Sequence, residues 1–488
     1  MSRSEELNFA GRLVRRLGEN SHLIDAATAQ TLSGRDIANL IVGFAAGFLS
    51  GGLQARDRVL ISCGLSPAST LAYLGAMYGG LVPVPVEDRA LATSVESLSV
   101  KAHAKAVWIA KGCRCDWARQ TGVPQLQGDF DARPAHSLPP AACEEDDLAA
   151  LMPTSGSTGV PRLVVVSHGN LKANTEAIVR SQHLGTDERA MLIMPVSYCF
   201  GASIVHTHLY QGGGVVFDSR FMFPDKVLHA INTYGCTTFA GVPTVYNILL
   251  RRSNLRSIPL PGLRRFLQAG AALSPESVRE MCEIVPTAEF FVMYGQTEAT
   301  ARISYLPPDR LREKLGSAGL PLDNLVVRIV DDEGRELPKG QTGEIQVRGP
   351  SVCSGYLDDR EATERKFGNG WLKTGDFACR DDEGYLWIKG RTGEFIKMRG
   401  LRVSFAEVES KVAAIPGVYE CAATAVQHPE AGEALALFIV ADNGVNGLVE
   451  SVRHSLPPQW TCASVNVVAE LPKTASGKIA RFQLQTTA

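Results

Sequence analysis

Short apolar runs alternate with helix-like segments through the first 300 residues, and this alternation predicts an α/β fold. Residues 59–62 form a strand-like run, residues 66–77 predict a helix, and residues 81–86 are again strand-like. The pattern continues with predicted strands at 105–110, 148–152, 163–166, 191–195, 215–217, 237–240, 266–269 and 290–293, and with predicted helices at 167–180, 202–210, 224–234, 243–250 and from 274. Such alternation is typical of a sheet covered by helices.

The pattern changes near residue 325, where apolar and polar residues begin to alternate. Residues 326–330 and 343–348 predict antiparallel strands joined through an Asp-Glu-Gly turn, and a second hairpin at 381–384 leads to residues 385–388. The remainder, from about 394 to 488, mixes short strands and helices. We therefore expect a small β subdomain followed by a separate α+β unit.

Three predicted strands end in small or polar residues. These endings are residues 197–201, 270–272 and 294–298. Because ligands collect outside the carboxyl ends of strands in open α/β sheets, the three endings predict a ligand site.

Length and charge narrow the class of protein. A chain of 488 residues exceeds what one hydrophobic core usually serves, so two or more domains are expected. A net charge of −2 gives no electrostatic case for binding nucleic acid or an anionic membrane. The first residues are acidic and lack the apolar core of a secretory signal, and no apolar segment is long enough to span a bilayer. These features predict a soluble, cytoplasmic protein without a transmembrane segment.

The eleven cysteines do not predict a disulfide framework, because their number is odd and they are scattered through a long chain. Cys113 and Cys115 are the close pair, and they lack the spacing of a zinc site. Buried free thiols are expected.

Residues 154–161, Thr-Ser-Gly-Ser-Thr-Gly-Val-Pro, lie between two predicted strands. Two glycines let backbone N–H groups turn inward and four hydroxyls add donors, which predicts a phosphate cradle with Arg162 as a positive charge at its rim. No Gly-Lys-Ser/Thr follows, and the loop leads to a strand, so a Walker P-loop is disfavoured. From the loop alone, a solvated hairpin turn is the alternative.

Five motifs occur in a particular order. They are residues 154–161, 294–298 (Tyr-Gly-Gln-Thr-Glu), 374–376 (Thr-Gly-Asp), 390–391 (Gly-Arg) and 472–478 (Pro-Lys-Thr-Ala-Ser-Gly-Lys). In this order the chain resembles the adenylate-forming superfamily of acyl-CoA synthetases, carrier-loading adenylation domains and luciferases. The resemblance implies a large N-terminal α/β domain with a β subdomain at residues 1–392 and a small mobile α+β C-terminal domain at 393–488. It also implies that a carboxylic acid attacks ATP to give an acyl-adenylate, from which a thiol displaces AMP.

The resemblance assigns most motif residues to ATP. Glu298 is the expected Mg²⁺ ligand, since that ion prefers carboxylate oxygens, and Thr297 is expected to donate to the α-phosphate; the alternative for this pair is an exposed helix cap. Asp376 is the expected ribose anchor, with Arg391 beside the ribose. The residues assigned to the leaving phosphates are Thr154, Ser155, Gly156, Ser157, Thr158 and Gly159, and those assigned to adenine are Gly270, Ala271, Ala272 and Tyr294.

The C-terminal motif supplies the expected catalytic lysine. By the resemblance, Lys478 bridges the substrate carboxylate and the α-phosphate during adenylation. Gly393 falls at the interdomain hinge, where relatives commonly carry Asp or Lys, and Gly400 lies in the loop that lines the thiol tunnel of relatives. Arg162-Leu163 replaces the usual Lys-Gly of the phosphate loop, which predicts retuning without loss of function.

The acid is expected to contact residues 198–201 and the strand endings. The predicted substrate-binding set is Tyr198, Cys199, Gly201, Val242, Gly270 and Gly295. Relatives that activate α-amino acids carry Asp at the position of Gly201, and a buried ammonium without a partner is costly, so a carboxylic acid without an α-amine is expected. His206 and His208 lie two residues apart on a predicted helix and therefore on different faces, which indicates structural residues and not a metal pair.

The sequence favours an ATP-dependent acid–thiol ligase that uses coenzyme A. The alternative is a stand-alone adenylation enzyme that loads the acid onto the phosphopantetheine of a separate acyl carrier protein in a biosynthetic pathway. A third hypothesis, a silent adenylate-binding protein, is disfavoured because Thr297, Glu298, Asp376 and Lys478 are all present. A luciferase-type oxygenase belongs to the same superfamily, but no feature singles it out.

Overall fold

The computed structural model describes residues 6–88, 90, 92–111, 117–128, 130, 132–154, 161–392, 395–398, 401–428, 432–441, 447–472 and 479–484. Its strands are β1 (His22–Asp25), β2 (Gln30–Ser33), β3 (Arg58–Cys63), β4 (Val82–Glu87), β5 (Ala106–Ile109), β6 (Gln125–Gln127), β7 (Leu148–Thr154), β8 (Arg162–Ser167), β9 (Arg189–Leu192), β10 (Gly214–Phe217), β11 (Thr238–Gly241), β12 (Arg265–Gln268), β13 (Glu289–Tyr294), β14 (Ser304–Leu306), β15 (Leu320–Pro321), β16 (Val326–Val330), β17 (Gly343–Arg348), β18 (Leu372–Arg380), β19 (Leu386–Arg391), β20 (Phe395–Met398), β21 (Leu401–Ser404), β22 (Val418–His428), β23 (Gly432–Ala441) and β24 (Cys462–Val467).

The α-helices are α1 (Phe9–Arg16), α2 (Gly34–Ser50), α3 (Pro67–Tyr78), α4 (Ala92–Ala102), α5 (Trp117–Thr121), α6 (His168–Gln182), α7 (Cys199–Tyr210), α8 (Pro224–Thr233), α9 (Pro243–Arg252), α10 (Pro275–Ile284), α11 (Arg360–Lys366), α12 (Phe405–Ala413) and α13 (Leu448–Ser455). Short 3₁₀ turns occur at Thr297–Ala299, Pro308–Arg310, Gly368–Gly370 and Arg481–Gln483. The chain divides into two compact units, Met1–Val327 with Gln346–Lys373, and Arg328–Ile345 with Thr374–Ala488.

The first unit is built around a nine-stranded sheet in the order β15–β14–β13–β12–β11–β9–β10–β1–β2. The central strands from β13 to β1 run parallel, and β2, β14 and β15 are antiparallel to their neighbours at the two edges. Strands β10, β11 and β12 are buried at every position, as expected for parallel strands covered on both faces. The carboxyl ends of β9, β12 and β13 therefore lie at one edge of the sheet, as the sequence predicted.

A second, parallel sheet in the order β4–β3–β5–β6 and the antiparallel hairpin β7–β8 complete this unit. The sequence predicts the starts of α3 and α6 well because their caps are local. The Ser66 side chain accepts from Ser69 N before α3, and Ser167 forms a capping box with Asn170 before α6.

The four-stranded sheet β16–β17–β18–β19 belongs mostly to the second unit. Strands β16 and β17 have the predicted bounds. The last sheet has the order β21–β20–β23–β22 with β24 beside β23, and α12 and α13 contribute Val408 and Val452 to its core. This mixture confirms the predicted α+β character. The predicted boundary between residues 392 and 393 lies inside the second unit and stays a prediction.

The structure corrects two predicted element bounds. Strand β9 ends at Leu192 and not at residue 195, and helix α7 begins at Cys199 and not at residue 202. The earlier start arises because Tyr198 is the N-cap and its carbonyl accepts from Ala202 N at 2.9 Å. Cys199 and Gly201 therefore lie in the first helical turn and not in a loop.

The nine cysteines that the structure describes are free thiols, as predicted. Cys63, Cys236, Cys353 and Cys421 are buried, whereas the other five are half-buried, so the expectation of burial holds for only part of the set. Cys113 and Cys115 lie outside the described residues. Among the described helices, none is both long and apolar enough to cross a membrane.

Candidate active site

Three sheet and helix ends meet around Gly270. This residue has a φ of +97°, and a Cβ added to it would lie 2.8 Å from the Tyr198 hydroxyl oxygen and 3.2 Å from Val242 Cγ1. The structure thus brings together three predicted binding residues from the starts of α7 and α9 and from the end of β12. Gly270, Ala271 and Ala272 are exposed, which is compatible with their predicted contact with adenine.

The loop after β13 folds back tightly on itself. The N–H of Ile303 donates to Tyr294 O at 2.9 Å, and a Cβ at Gly295 would lie 1.7 Å from Ala301 O. Only glycine fits at position 295, because any side chain would overlap the returning backbone. Thr297 Oγ1 donates to Cys199 Sγ at 3.4 Å and so joins this loop to the start of α7.

Glu298 is buried, with 9% of its surface exposed, so the alternative of an exposed cap is wrong. Tyr356 Oη donates to Glu298 Oε1 at 2.6 Å, and Cys353 N donates to Glu298 O at 2.9 Å. Thr300 Oγ1 donates to Ser351 O at 2.7 Å in the same region. The segment around residues 351–356 therefore fixes both the backbone and the carboxylate of the Thr297–Ala299 turn.

The thiols of this region are held in the neutral form. Burial raises the pKa of Cys199 and raises the pKa of Cys353 to about 12. Because the thiolate is the nucleophilic form, neither side chain is suited to attack a substrate at neutral pH.

Glu298 fits one kind of magnesium site. No group of three or more His, Cys, Asp or Glu side chains in the described part of the chain could hold a metal on its own. Mg²⁺ in nucleotide enzymes is commonly bound by one or two carboxylates together with substrate phosphates. With Oε1 fixed by Tyr356, the other carboxylate oxygen, Oε2, suits that mode.

The base of the phosphate loop is well defined. Thr154 pairs with Arg162 across the β7–β8 hairpin, and its Oγ1 donates to Arg162 O at 3.4 Å. The Arg162 guanidinium lies 3.3 Å from Asp359 Oδ2 and 5.4 Å from the ring centroid of Tyr356. Ser155, Gly156, Ser157, Thr158 and Gly159 lie outside the described residues.

In the second unit, Asp376 and Arg391 face each other across β18 and β19. Arg391 Nε lies 3.5 Å from Asp376 Oδ1, with 15% of the Asp376 side chain exposed. Thr374 Oγ1 donates to Ile345 O at 2.8 Å and accepts from Asp376 N at 3.1 Å, so the Thr374 side chain fixes the segment of β18 that carries the carboxylate. Gly393, Gly400 and Lys478 lie outside the described residues.

Sequence reasoning did not find Tyr356, Gln296 or Arg302. Tyr356 contacts Glu298 across 58 residues of sequence, and no local pattern signals such a contact. Gln296 belongs to a motif that was recognised, and both polar atoms of its side chain are buried without a partner among the described residues. Arg302 carried a signal that was overlooked, namely a lone charge just before the buried strand β14.

His206 and His208 are buried side chains of α7, as expected for structural residues. His206 stacks on Tyr73 with ring centroids 5.8 Å apart, and His208 Nδ1 lies 2.9 Å from Ile204 O. Burial lowers the pKa of His206 to about 3 and that of His208 to about 4, so both rings are neutral.

Comparison with known proteins identifies the family of the chain. Residues 12–357 match the AMP-binding enzyme family, and residues 407–478 match the AMP-binding enzyme C-terminal domain. The chain is 32% identical to a feruloyl-CoA synthase of Amycolatopsis over 92% of both chains, and 32% identical to a sulfoacetate–CoA ligase of Cupriavidus necator over 74% of this chain and 70% of that one. The structure of o-succinylbenzoate CoA synthetase from Bacillus subtilis with its acyl-adenylate superposes with a TM-score of 0.88 and 25% identity over 99% of this chain and 98% of that one.

These matches confirm the predicted fold class and the predicted superfamily. They also favour coenzyme A over a carrier protein as the acceptor. The chain belongs to the AMP-binding enzyme family and is an AMP-forming acid–CoA ligase.

Proposed function

We propose that this enzyme activates a carboxylic acid without an α-amino group and transfers it to coenzyme A, with Mg²⁺ bound at Glu298. In the first step a carboxylate oxygen of the acid bonds to the α-phosphorus of ATP, and the bond to pyrophosphate breaks. In the second step the sulfur of coenzyme A bonds to the acyl carbon, and AMP leaves. The observation that carries the proposal is the buried Glu298 carboxylate, fixed by Tyr356 beside Thr297 and the start of α7.

The first-unit residues would meet the negative charge that grows on the phosphates. When bound, Mg²⁺ would neutralise part of this charge, and Glu298 is the carboxylate that would hold it. The Thr297 hydroxyl would donate to the α-phosphate, and the loop from Thr154 to Gly159 would donate to the leaving pyrophosphate. Because Tyr356 fixes Glu298 in advance, little reorganisation of the carboxylate is needed when ATP binds.

The remaining assignments concern AMP and the domain movement. Asp376, held in place by Arg391, would accept hydrogen bonds from the ribose hydroxyls. Gly270–Ala272 and Tyr294 would enclose adenine. Lys478 would bridge the two reacting anions in the first step, and Gly393 would act as the hinge that carries it away before the second.

Gly201 supports a substrate without an α-amine. A Cβ at this position would lie 2.4 Å from Pro195 O and 2.8 Å from Met194 O, so no side chain fits there without moving the backbone. An aspartate that could pair with an ammonium group is therefore excluded at the place where α-amino-acid activators carry one. A buried, unpaired ammonium would be costly.

The names of the relatives do not identify the acid that this enzyme activates. Ferulate, sulfoacetate and o-succinylbenzoate differ in size and in charge, so the likeness does not choose among them. A cytoplasmic location is part of the proposal, supported by nine free thiols, which suit a reducing compartment. A role in biosynthesis is likewise proposed, since a thioester is an activated acyl donor.

Acid-dependent exchange of labelled pyrophosphate into ATP tests the first step. The panel should contain aliphatic, aromatic and dicarboxylic acids together with α-amino acids, and each active acid should then be assayed for thioester formation with coenzyme A and with holo carrier proteins. We expect exchange with at least one non-amino acid and a coenzyme A thioester as the product. Exchange confined to α-amino acids, or thioester only on a carrier protein, would contradict the proposal.

A further inference from the structure

Arg302 is a buried cation. It follows the Thr297–Ala299 turn, and only 2% of its surface is exposed. Its backbone N–H and carbonyl are both bound by Asn174, because Arg302 N donates to Asn174 Oδ1 at 3.3 Å and Asn174 Nδ2 donates to Arg302 O at 2.9 Å. The backbone of Arg302 is therefore fixed by Asn174, and its side chain is buried inside the protein.

The contacts of the Arg302 guanidinium stabilise its positive charge only weakly. Nη1 donates to Met293 Sδ, and the guanidinium carbon lies 5.7 Å from the ring centroid of Phe200. Nη2 is buried and has no hydrogen-bond partner among the described residues. A thioether is a weak acceptor, and an aromatic face contributes only modestly.

No carboxylate of the described residues forms an ion pair with Arg302, although a buried charge normally has one. Burial lowers the pKa of Arg302 to about 9, so the group remains charged at neutral pH. By contrast, the buried Arg265 is paired with Glu188. An anion from outside the chain would satisfy Arg302 where the described residues do not.

Arg302 lies among the acyl-site residues. A Cβ at Gly295 would be 3.0 Å from Arg302 Cα, and Phe200 belongs to the first turn of α7 together with Cys199 and Gly201. Gln296, on the same loop, adds a second polar side chain whose amide oxygen and nitrogen are buried and have no partner within the described ranges. Two unsatisfied polar groups on one loop beside the acyl residues point to a polar substrate and not to a plain hydrocarbon chain.

We propose that Arg302 binds a second anionic group, a carboxylate or a sulfonate, at the end of the substrate remote from the carboxylate that is activated. The planar guanidinium fork matches the geometry of either oxyanion. This inference rests on the proposed function and narrows its substrate to acids that carry two negative charges.

The test compares matched acids in the pyrophosphate exchange assay. Pentanoate is paired with glutarate, hexanoate with adipate, and propanoate with 3-sulfopropanoate, so that each pair differs by one anionic group and the last pair separates sulfonate from carboxylate. We expect kcat/KM to be at least about 10-fold higher for the dianion of the best pair, as a charge-assisted hydrogen bond would give. Arg302→Met should abolish that preference mainly through KM while retaining activity on the mono-anion, and Arg302→Lys should keep part of it.

Arg279→Met is the matched control, because Arg279 is an exposed arginine paired with Glu276 and should leave the preference unchanged. If Arg302→Met does not fold, the wild-type ratio and Arg302→Lys still decide the question. Equal or higher activity on mono-anions in the wild type, or an unchanged preference in a folded Arg302→Met, would overturn the inference while leaving the ligase function intact. Absence of exchange with every acid would instead overturn the proposed function, and the inference with it.

Discussion

The phenolic oxygen of Tyr356 lies 2.6 Å from Glu298 Oε1 and donates a hydrogen bond to it inside the protein. The two residues are 58 positions apart, and the backbone contact from Cys353 N to Glu298 O holds the same two segments together. The carboxylate that we assign to Mg²⁺ is thus oriented by a neutral donor, which leaves its negative charge available to the cation.

Tyr356→Phe should weaken adenylation without unfolding the protein. The variant loses a hydrogen bond to a charged group, about 1.5–3 kcal/mol, so we expect a roughly 10- to 100-fold lower exchange rate and a higher Mg²⁺ concentration for half-maximal activity. Mg²⁺ titrations of the exchange reaction measure both. Tyr78→Phe is the control, because it removes a bond of 2.9 Å to Leu138 O in another part of the first unit. An unchanged Mg²⁺ requirement in Tyr356→Phe would refute the positioning role.

Asp376→Asn should raise KM for ATP. The amide cannot accept from two ribose hydroxyls as an anion does, so we expect a roughly 10-fold or greater rise in KM with a smaller change in KM for the acid. Steady-state kinetics with ATP varied at saturating acid provide the measurement. Asp381→Asn is the control, because Asp381 accepts hydrogen bonds from Glu383 N and Tyr385 N in a turn of the same sheet. Equal effects of the two substitutions on KM would argue against a ribose contact.

Gly201→Ala should lower stability. The added methyl group would lie 2.4 Å from Pro195 O, so the start of α7 must shift, at a cost of about 1–3 kcal/mol. Thermal unfolding followed by circular dichroism should show a lower Tm. Gly18→Ala is the matched control, because a Cβ there meets nothing within 4 Å. Equal Tm values for the two variants would show that Gly201 tolerates a side chain, and the structural argument against α-amino acids would fail.

Acid should destabilise the first unit through its buried histidines. Burial lowers the pKa of His168 from 6.5 to about 4, and His168 Nδ1 accepts from Phe9 N at 3.1 Å, which requires the neutral ring. Below pH 6.5 the unfolded chain binds a proton at His168 more readily than the folded chain does. The contribution of His168 to the free energy of unfolding is therefore complete above pH 6.5 and falls by about 2 kcal/mol by pH 5.

Urea unfolding at pH 7.5 and pH 5 measures this loss. His168→Gln should reduce the difference between the two pH values, whereas substitution of the exposed His229 by Gln should not. The same pH dependence in His168→Gln and in the wild type would contradict the assignment.

The arrangement of strands and helices was largely readable from local sequence. Serine caps, Pro at the first helical turn and fully apolar runs fix α3, α6 and the central strands through contacts within a few residues. The start of α7 was placed three residues late because Gly201 and Tyr198 looked like loop residues. The helix starts where the Tyr198 carbonyl accepts from Ala202 N, and the Tyr198 side chain forms no cap hydrogen bond, so no capping residue in the sequence signals that start.

The residues of the candidate site also fall into two groups, those that a sequence motif indicates and those that only the fold reveals. Thr297, Glu298, Asp376 and Gly270 can be proposed as site residues from the sequence because each belongs to a recognisable motif, and their roles stay predictions. Tyr356 and Arg302 were missed because their roles come from contacts between distant segments, and a tyrosine or an arginine in sequence gives no sign of being buried. Burial of a charge without a partner becomes visible only once the fold is known.

The most direct test of the two-step account uses Lys478→Ala with the acid that gives the strongest exchange in the wild type. We expect the variant to lose pyrophosphate exchange by at least about 100-fold, because the cation that offsets the two reacting anions is gone. It should still convert chemically supplied acyl-adenylate and coenzyme A into thioester and AMP at close to the wild-type rate. Equal loss of both reactions, or unchanged exchange, would contradict the account.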